Sequence, residues 1–133
     1  MKIKTNELTG DALNWAVAMC LGWAWKADDK GKIILARPYP QGLKAVVNAT
    51  GMKTLALKRF QATANWSIAG PIIERECIEV SCIHTTGWTP NSWDARHPQR
   101  HYAKGPTPLI AAMRCYVASK FGDEIDVPKE IAQ

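Results

Sequence analysis

The run from Gly105 to Gly122, GPTPLIAAMRCYVASKFG, carries both ends of a helix in its own letters. Thr107 can cap the first turn. Pro108 falls where proline is tolerated, because the N–H it lacks has no partner in a first turn. Gly122 closes the run by accepting the left-handed conformation. Leu109 or Ile110, Met113, Tyr116 or Val117, and Phe121 recur at the spacing of one buried stripe.

A second helix is predicted from about Gly10 to Leu21, with Leu13, Ala16, Val17, Cys20 and Leu21 on one face. Thr9 is its candidate cap and Gly22 its stop. Trp23-Ala24-Trp25 and Lys32 to Ala36 flank Asp28-Asp29-Lys30-Gly31, which reads as a hairpin. Arg37 to Gly42 holds two prolines and a glycine and reads as a loop. Leu43 to Phe60 reads as two strands around Thr50-Gly51, with Val46-Val47 and Leu55-Leu57 inward and a helix over Met52 to Phe60 as the alternative. A turn is predicted at Gly70-Pro71, with one helical turn following it to Glu76. Cys77 to His84 alternates as a strand, with Glu79 and Ser81 outward. Gly87 to Asn91 is a turn, Ser92 to Arg96 a strand with Trp93 and Ala95 on one face, and His97 to Gly105 a polar loop. Tight turns between strands make the sheet mainly antiparallel. The predicted fold is α+β, a mainly antiparallel sheet packed by an N-terminal and a C-terminal helix. The 133 residues fit one domain, 1–133, with a basic insertion over about 37–64 and an acidic tail over 122–133.

Charge is unevenly spread over a net +5. Lys30 to Phe60 holds seven basic residues and no acid, and Ala95 to Lys120 holds five and no acid. The tail from Gly122 is −3, which leaves +8 on the body. Such a body concentrates anions at its surface. No apolar stretch reaches the roughly 18–20 residues of a membrane span, and the first ten residues show no secretory pattern, so a cytoplasmic protein is expected. The four cysteines are then read as reduced, with Cys20 and Cys115 as small core residues.

Three blocks resemble one family: Leu8-Thr9-Gly10 with Leu13 to Ala18, Gly70 to Glu76, and Gly105 to Val117. They are similar to the NinX-like accessory proteins of tailed phages and prophages of enteric bacteria. The resemblance covers about half of the chain. Lys30 to Ala64 is longer and more basic than the family pattern, and Thr85 to His101 departs from it. The resemblance implies phage origin and an accessory role, and it supplies no catalytic residue.

The residues themselves point away from catalysis. Cys77, Cys82, His84, His97 and His101 lie within 25 residues, and thiolates with imidazoles suit zinc, but no C-x-x-C pair is present and Cys77 and Cys82 fall on opposite strand faces. Cys82 and His84 share a face without any oxyanion-type turn. No paired carboxylates and no phosphate loop are present. Neither a metal, a cofactor nor an enzymatic reaction is expected.

Capture of an anion fares better. Trp15 and Trp23 read as core. Trp66, Trp88 and Trp93 lie in or beside turns, where an indole can offer a stacking plate worth about 1–3 kcal/mol per base. Arg96, Arg100 and Lys104 follow Trp93, and the start of the closing helix lies just beyond, with free N–H groups that suit phosphate. The candidate ligand-binding residues are Trp66, Arg75, Trp93, Arg96, Arg100, Tyr102, Lys104 and Thr107. The expected function is a non-enzymatic sponge for a small anionic, nucleotide-like ligand, acting as a homo-oligomer in the host cytoplasm. Blocking a host protein is the second reading, and nucleic-acid binding through Lys30 to Phe60 ranks behind it.

Overall fold

In the computed structural model, which describes residues 1–38, 52–83 and 92–132, the closing helix is the hub. This helix, α3, spans Pro108–Phe121. The Thr107 hydroxyl accepts from Ile110 N–H at 3.1 Å, so the cap forms as its letters predict. Gly122 follows with φ of 84°. Eight of its residues are buried, including Leu109, Met113, Cys115, Tyr116 and Val117. Phe121 is an exception to the predicted stripe, at 46% exposed. The buried stripe instead broadens through Ala111, Ala112 and Ala118, whose small side chains let neighbouring backbone approach.

The other elements assemble around it. Strand β1 (Lys2–Lys4) leads through a 3-10 turn at Thr5–Glu7 into α1, Gly10–Cys20. Thr9 occupies the cap position of α1 but its side chain makes no cap hydrogen bond. Gly22 ends the helix with φ of 87°. Buried Asn14 is satisfied, because its Oδ1 accepts from Thr63 N–H at 3.1 Å.

Next comes an antiparallel sheet of β2 (Ala24–Ala27), β3 (Ile33–Pro38) and β4 (Met52–Ala56), in that spatial order. The predicted hairpin is present. Asp28 Oδ1 accepts from the Lys30 and Lys32 N–H groups at 2.9 and 2.8 Å and so shapes its turn. Strand β3 runs through Arg37 and Pro38, where a loop was predicted. Its pairing with β2 ends at Ala36, so among the described residues Pro38 has a strand neighbour on the β4 side only, where its missing N–H is tolerated. Trp25, Leu35 and Leu55 share the inner rung, and Leu57 is buried in a 3-10 turn at Leu57–Arg59. The predicted strand partner around Val46-Val47 lies outside the described residues, as does the turn from Gly87 to Asn91.

Helix α2 spans Trp66–Glu76 and contains Gly70-Pro71, where a turn was predicted. Two local features allow it. Asn65 caps the start by accepting from Ser67 N–H at 2.9 Å. Proline excludes the helical conformation of its predecessor partly through that residue's Cβ, and Gly70 has none. The helix ends at Cys77, which takes the left-handed conformation at φ of 54°.

The third sheet is antiparallel, β5 (Glu79–Ile83), β6 (Ser92–His97) and β7 (His101–Gly105). Strand β7 replaces most of the predicted polar loop. A three-residue turn, Pro98 to Arg100, makes it, with Arg100 in the left-handed region at φ of 67° and its N–H on His97 O at 3.0 Å. The tail is ordered as β8 (Glu124–Asp126) against β1. The architecture is α+β with antiparallel sheets and helices packed on them, and one apolar cluster joins α1, α2, α3 and the inner faces.

Candidate functional site

Alternation in β6 and β7 sorts the predicted site residues. Register pairs Asp94 with Lys104 and Arg96 with Tyr102, so these four project from one face. Trp93, Ala95, Ala103 and Gly105 project from the other, against α3. Ala95 and Ala103 are buried there, and Trp93 packs on the core. The indole of Trp93 is therefore on the opposite side of the sheet from Arg96 and Lys104.

On the outer face Tyr102 stands between two cations. The Arg96 guanidinium is 5.8 Å from its ring centroid and the Lys104 ammonium 6.0 Å. Its hydroxyl donates to Asp94 Oδ1. That bond, with desolvation and the Asp94 charge, pushes the phenol above its ordinary pKa.

The remaining predicted residues lie elsewhere. Trp66 opens α2 and is 57% exposed. Arg100 sits in the turn that closes the hairpin, just beyond the His97–His101 rung. Arg75 binds Glu76 Oε2 at 3.5 Å and the Tyr116 hydroxyl at 3.5 Å, between α2 and α3. Thr107 spends its side-chain oxygen on the helix cap. Trp88 lies outside the described residues. The structure thus brings Arg96, Tyr102 and Lys104 together, with Arg100 in the adjoining turn, and leaves Trp66 and Arg75 on α2 and Trp93 on the other face of the sheet.

A cleft of about 640 Å³ opens beside β7, lined by Tyr102 to Pro106, Asn6, Ser92 and Arg114. Gly105 makes this corner feasible. A Cβ there would sit 2.7 Å from the backbone N of Ala111, so the end of β7 meets α3 at backbone contact. Arg114 is the residue that sequence reasoning missed. Its Nε donates to Leu8 O at 2.7 Å and its Nη1 to Lys104 O at 2.8 Å. Partial burial lowers its pKa. Among the described residues no carboxylate lies within ion-pair reach of it, and its Nη2 has no partner. The signal was present: Arg114 is the sole charged residue between Thr107 and Ser119 in an otherwise apolar run. Desolvated cations without a counter-charge are costly, and an anion in the cleft would offset that cost.

A second polar cluster closes the opposite end of the same sheet. His97 is buried, accepts from Gln99 N–H through Nδ1 at 3.1 Å, and so presents Nε2–H to Glu76 Oε1 at 3.2 Å. Lys120 Nζ lies 3.6 Å from the same oxygen. Burial would raise the Glu76 pKa, but the His97 hydrogen bond, Lys120 and Arg75 outweigh it and hold the carboxyl below its usual range. Both ring nitrogens of His97 are spent, so the cluster works as a latch joining α2, the β6–β7 turn and α3. Burial pushes the Cys115 thiol up to about 11 and the Cys20 thiol up to about 12, which keeps both protonated and unreactive. Cys77 is exposed at the helix end and Cys82 pairs with Trp93 on the inner face. Among the described residues no group of three His, Cys, Asp or Glu side chains could hold a metal; His84 lies outside them. No described helix is long and apolar enough to cross a membrane.

A search of curated proteins finds no match. The family model of NinX from bacteriophage P22, by contrast, matches residues 4–120, from β1 to the last turn of α3, and it takes in the cleft, the latch and the three described helices. The chain belongs to the bacteriophage P22 NinX family.

Proposed function

We propose that this phage accessory protein binds and withholds a small anionic, nucleotide-like ligand in the cleft beside β7. The observation that carries the reading is Arg114: a partly buried guanidinium with no carboxylate partner among the described residues, on the wall of a 640 Å³ cleft. Lys104 adds a second cation and Tyr102 an aromatic ring that is 42% exposed. Asn6 and Ser92 add polar groups able to orient a sugar or base. The ligand site so drawn differs from the tryptophan-lined pocket read from sequence. Its aromatic plate is Tyr102 and its inner cation is Arg114.

The ligand is held and not transformed on this reading, because the described residues lining the cleft include no His, Cys, Asp or Glu. Two copies closing over one ligand would complete its burial, and the site of action is the host cytoplasm.

The test is calorimetric titration of the full chain with mono-, di- and cyclic nucleotides and ADP-ribose derivatives. Low-micromolar or tighter binding is expected for at least one, weakened at least tenfold by Lys104→Ala or Tyr102→Ala. The ligand should be recovered unchanged after heat denaturation. A panel that gives no heat overturns the reading, and recovery of a product in place of the ligand replaces the sponge with an enzyme.

A further inference from the structure

Four basic residues of the segment 30–60, Lys30, Lys32, Lys58 and Arg59, come from two separate stretches of sequence, and the register of β3 and β4 gathers them. Ile34 pairs with Ala56, so the start of β3 and the end of β4 lie at the same end of the sheet. Lys30 and Lys32 precede β3, and Lys58 and Arg59 follow β4. All four are exposed, and Lys26, also exposed, shares the outer rung of Ile34 and Ala56. Two clefts meet at Lys32. One, of about 370 Å³, has a floor of Ile34, Thr54 and Ala56 between Lys32 and Arg59, with no carboxylate among its described lining. The other, of about 540 Å³, is lined by Lys30, Lys32 and Lys58, with Asp11 and Glu130 also on its wall. None of the five cations has a carboxylate within ion-pair reach among the described residues. The nearby carboxylate of Asp28 is turned inward onto its own loop.

We infer that this outer face of the β2–β3–β4 sheet is a second binding surface, separate from the cleft beside β7, and that it takes the phosphodiester backbone of a nucleic acid. Four of the five cations are lysines, which act as mobile point charges and suit a run of phosphates without fixing a register. The described lining holds no aromatic side chain. A protein-binding hot spot is normally built on tryptophan, tyrosine or arginine set in a well-packed pocket, and a base-reading surface is built on stacking rings. Backbone recognition needs neither. Arg37 takes no part, since its guanidinium is committed to the Trp23 ring at 4.6 Å.

The experiment is fluorescence anisotropy of the full chain with a labelled 20-nucleotide single strand and a 20-base-pair duplex of mixed sequence, at 50 and 200 mM salt. Three phosphate contacts predict a loss of roughly 20- to 40-fold in affinity across that salt range. Lys32→Gln with Arg59→Gln should weaken binding at low salt at least tenfold and flatten the salt dependence by about two contacts, while Lys2→Gln, on β1, changes neither. Should the double variant not fold, Lys26→Gln alone must flatten the dependence by about one contact. No binding at 50 mM overturns the inference, as does binding that the Lys32 and Arg59 changes leave untouched. Capture of poly-L-glutamate in place of both oligonucleotides would assign the surface to an acidic protein instead.

Discussion

Arg114 on α3 donates through Nη1 to the main-chain oxygen of Lys104 on β7 at 2.8 Å, and through Nε to Leu8 O at 2.7 Å. One guanidinium thus ties the closing helix to a strand edge and to the entry of α1. The same two bonds aim its remaining face into the cleft that Tyr102 and Lys104 share. Under the proposed function, this residue would couple stability to ligand capture.

Replacing Arg114 with lysine keeps the charge and loses the fork, since one ammonium on a flexible stem cannot reproduce both bonds with the same geometry. Arg114→Lys should cost roughly 1.5–3 kcal/mol in urea unfolding, the range for hydrogen bonds to charged groups. An unchanged midpoint would show that the two carbonyl bonds are dispensable.

Gly105→Ala should destabilise the protein by about 1–3 kcal/mol, as overpacking does. The added methyl would lie 2.7 Å from the Ala111 backbone nitrogen, and backbone cannot swing aside as a side-chain tip can. Equilibrium denaturation measures it. A neutral result would mean that the β7–α3 corner relaxes freely.

The latch gives stability a pH dependence. Folding lowers the Glu76 pKa from its ordinary value near 4.5, so its contribution is fully present above that value and is lost as pH falls through the lower folded value. Glu76→Gln should therefore be less stable than the parent by roughly 1.5–3 kcal/mol at pH 7, and the gap should narrow as pH falls toward 3. Parallel denaturation curves at the two pH values decide this, and a gap that persists undiminished at pH 3 would exclude the carboxylate as its source.

Pro71 leaves one carbonyl of α2 without its helical partner, because proline has no N–H to offer. Pro71→Ala should raise stability by about 1 kcal/mol, the restored bond and helix propensity being partly offset by a freer unfolded chain. Loss of stability on this change would indicate that the helix is built around a proline-induced bend.

Much of the fold was legible in short stretches. Thr107, Pro108 and Gly122 mark α3 because capping is a local matter of one side chain and three backbone groups. The β2–β3 hairpin was legible for the same reason, with Asp28 and Gly31 shaping its turn. The errors also have local causes that were overridden. Gly70-Pro71 is a turn signal that the Asn65 cap and the absence of a Cβ at position 70 convert into helix. His97 to Gly105 is polar in composition, yet His101, Ala103 and Gly105 alternate inward, and a left-handed Arg100 supplies the turn that pairs them with β6.

The membership of the candidate cleft was only partly legible. Counts of cations and aromatics led to an anion being proposed, and of the residues named for it Tyr102 and Lys104 line the cleft. Trp93 did not join them, since a period of two sends its indole to the covered face. Arg114 joined them from α3, ten residues past Lys104 in sequence and one hydrogen bond away in space.

By itself the amino-acid order determined where the chain turns helical at its close, which strand residues alternate, and the excess of positive charge on the body. Those properties act over a few residues or over the whole composition. Which cations face one another was decided by strand register and by the packing of α3, because a shift of one residue in pairing sends a side chain to the opposite face. Meetings of that kind, such as Arg114 with Lys104, or Lys32 with Arg59 across one cleft, exist only once the sheets have formed.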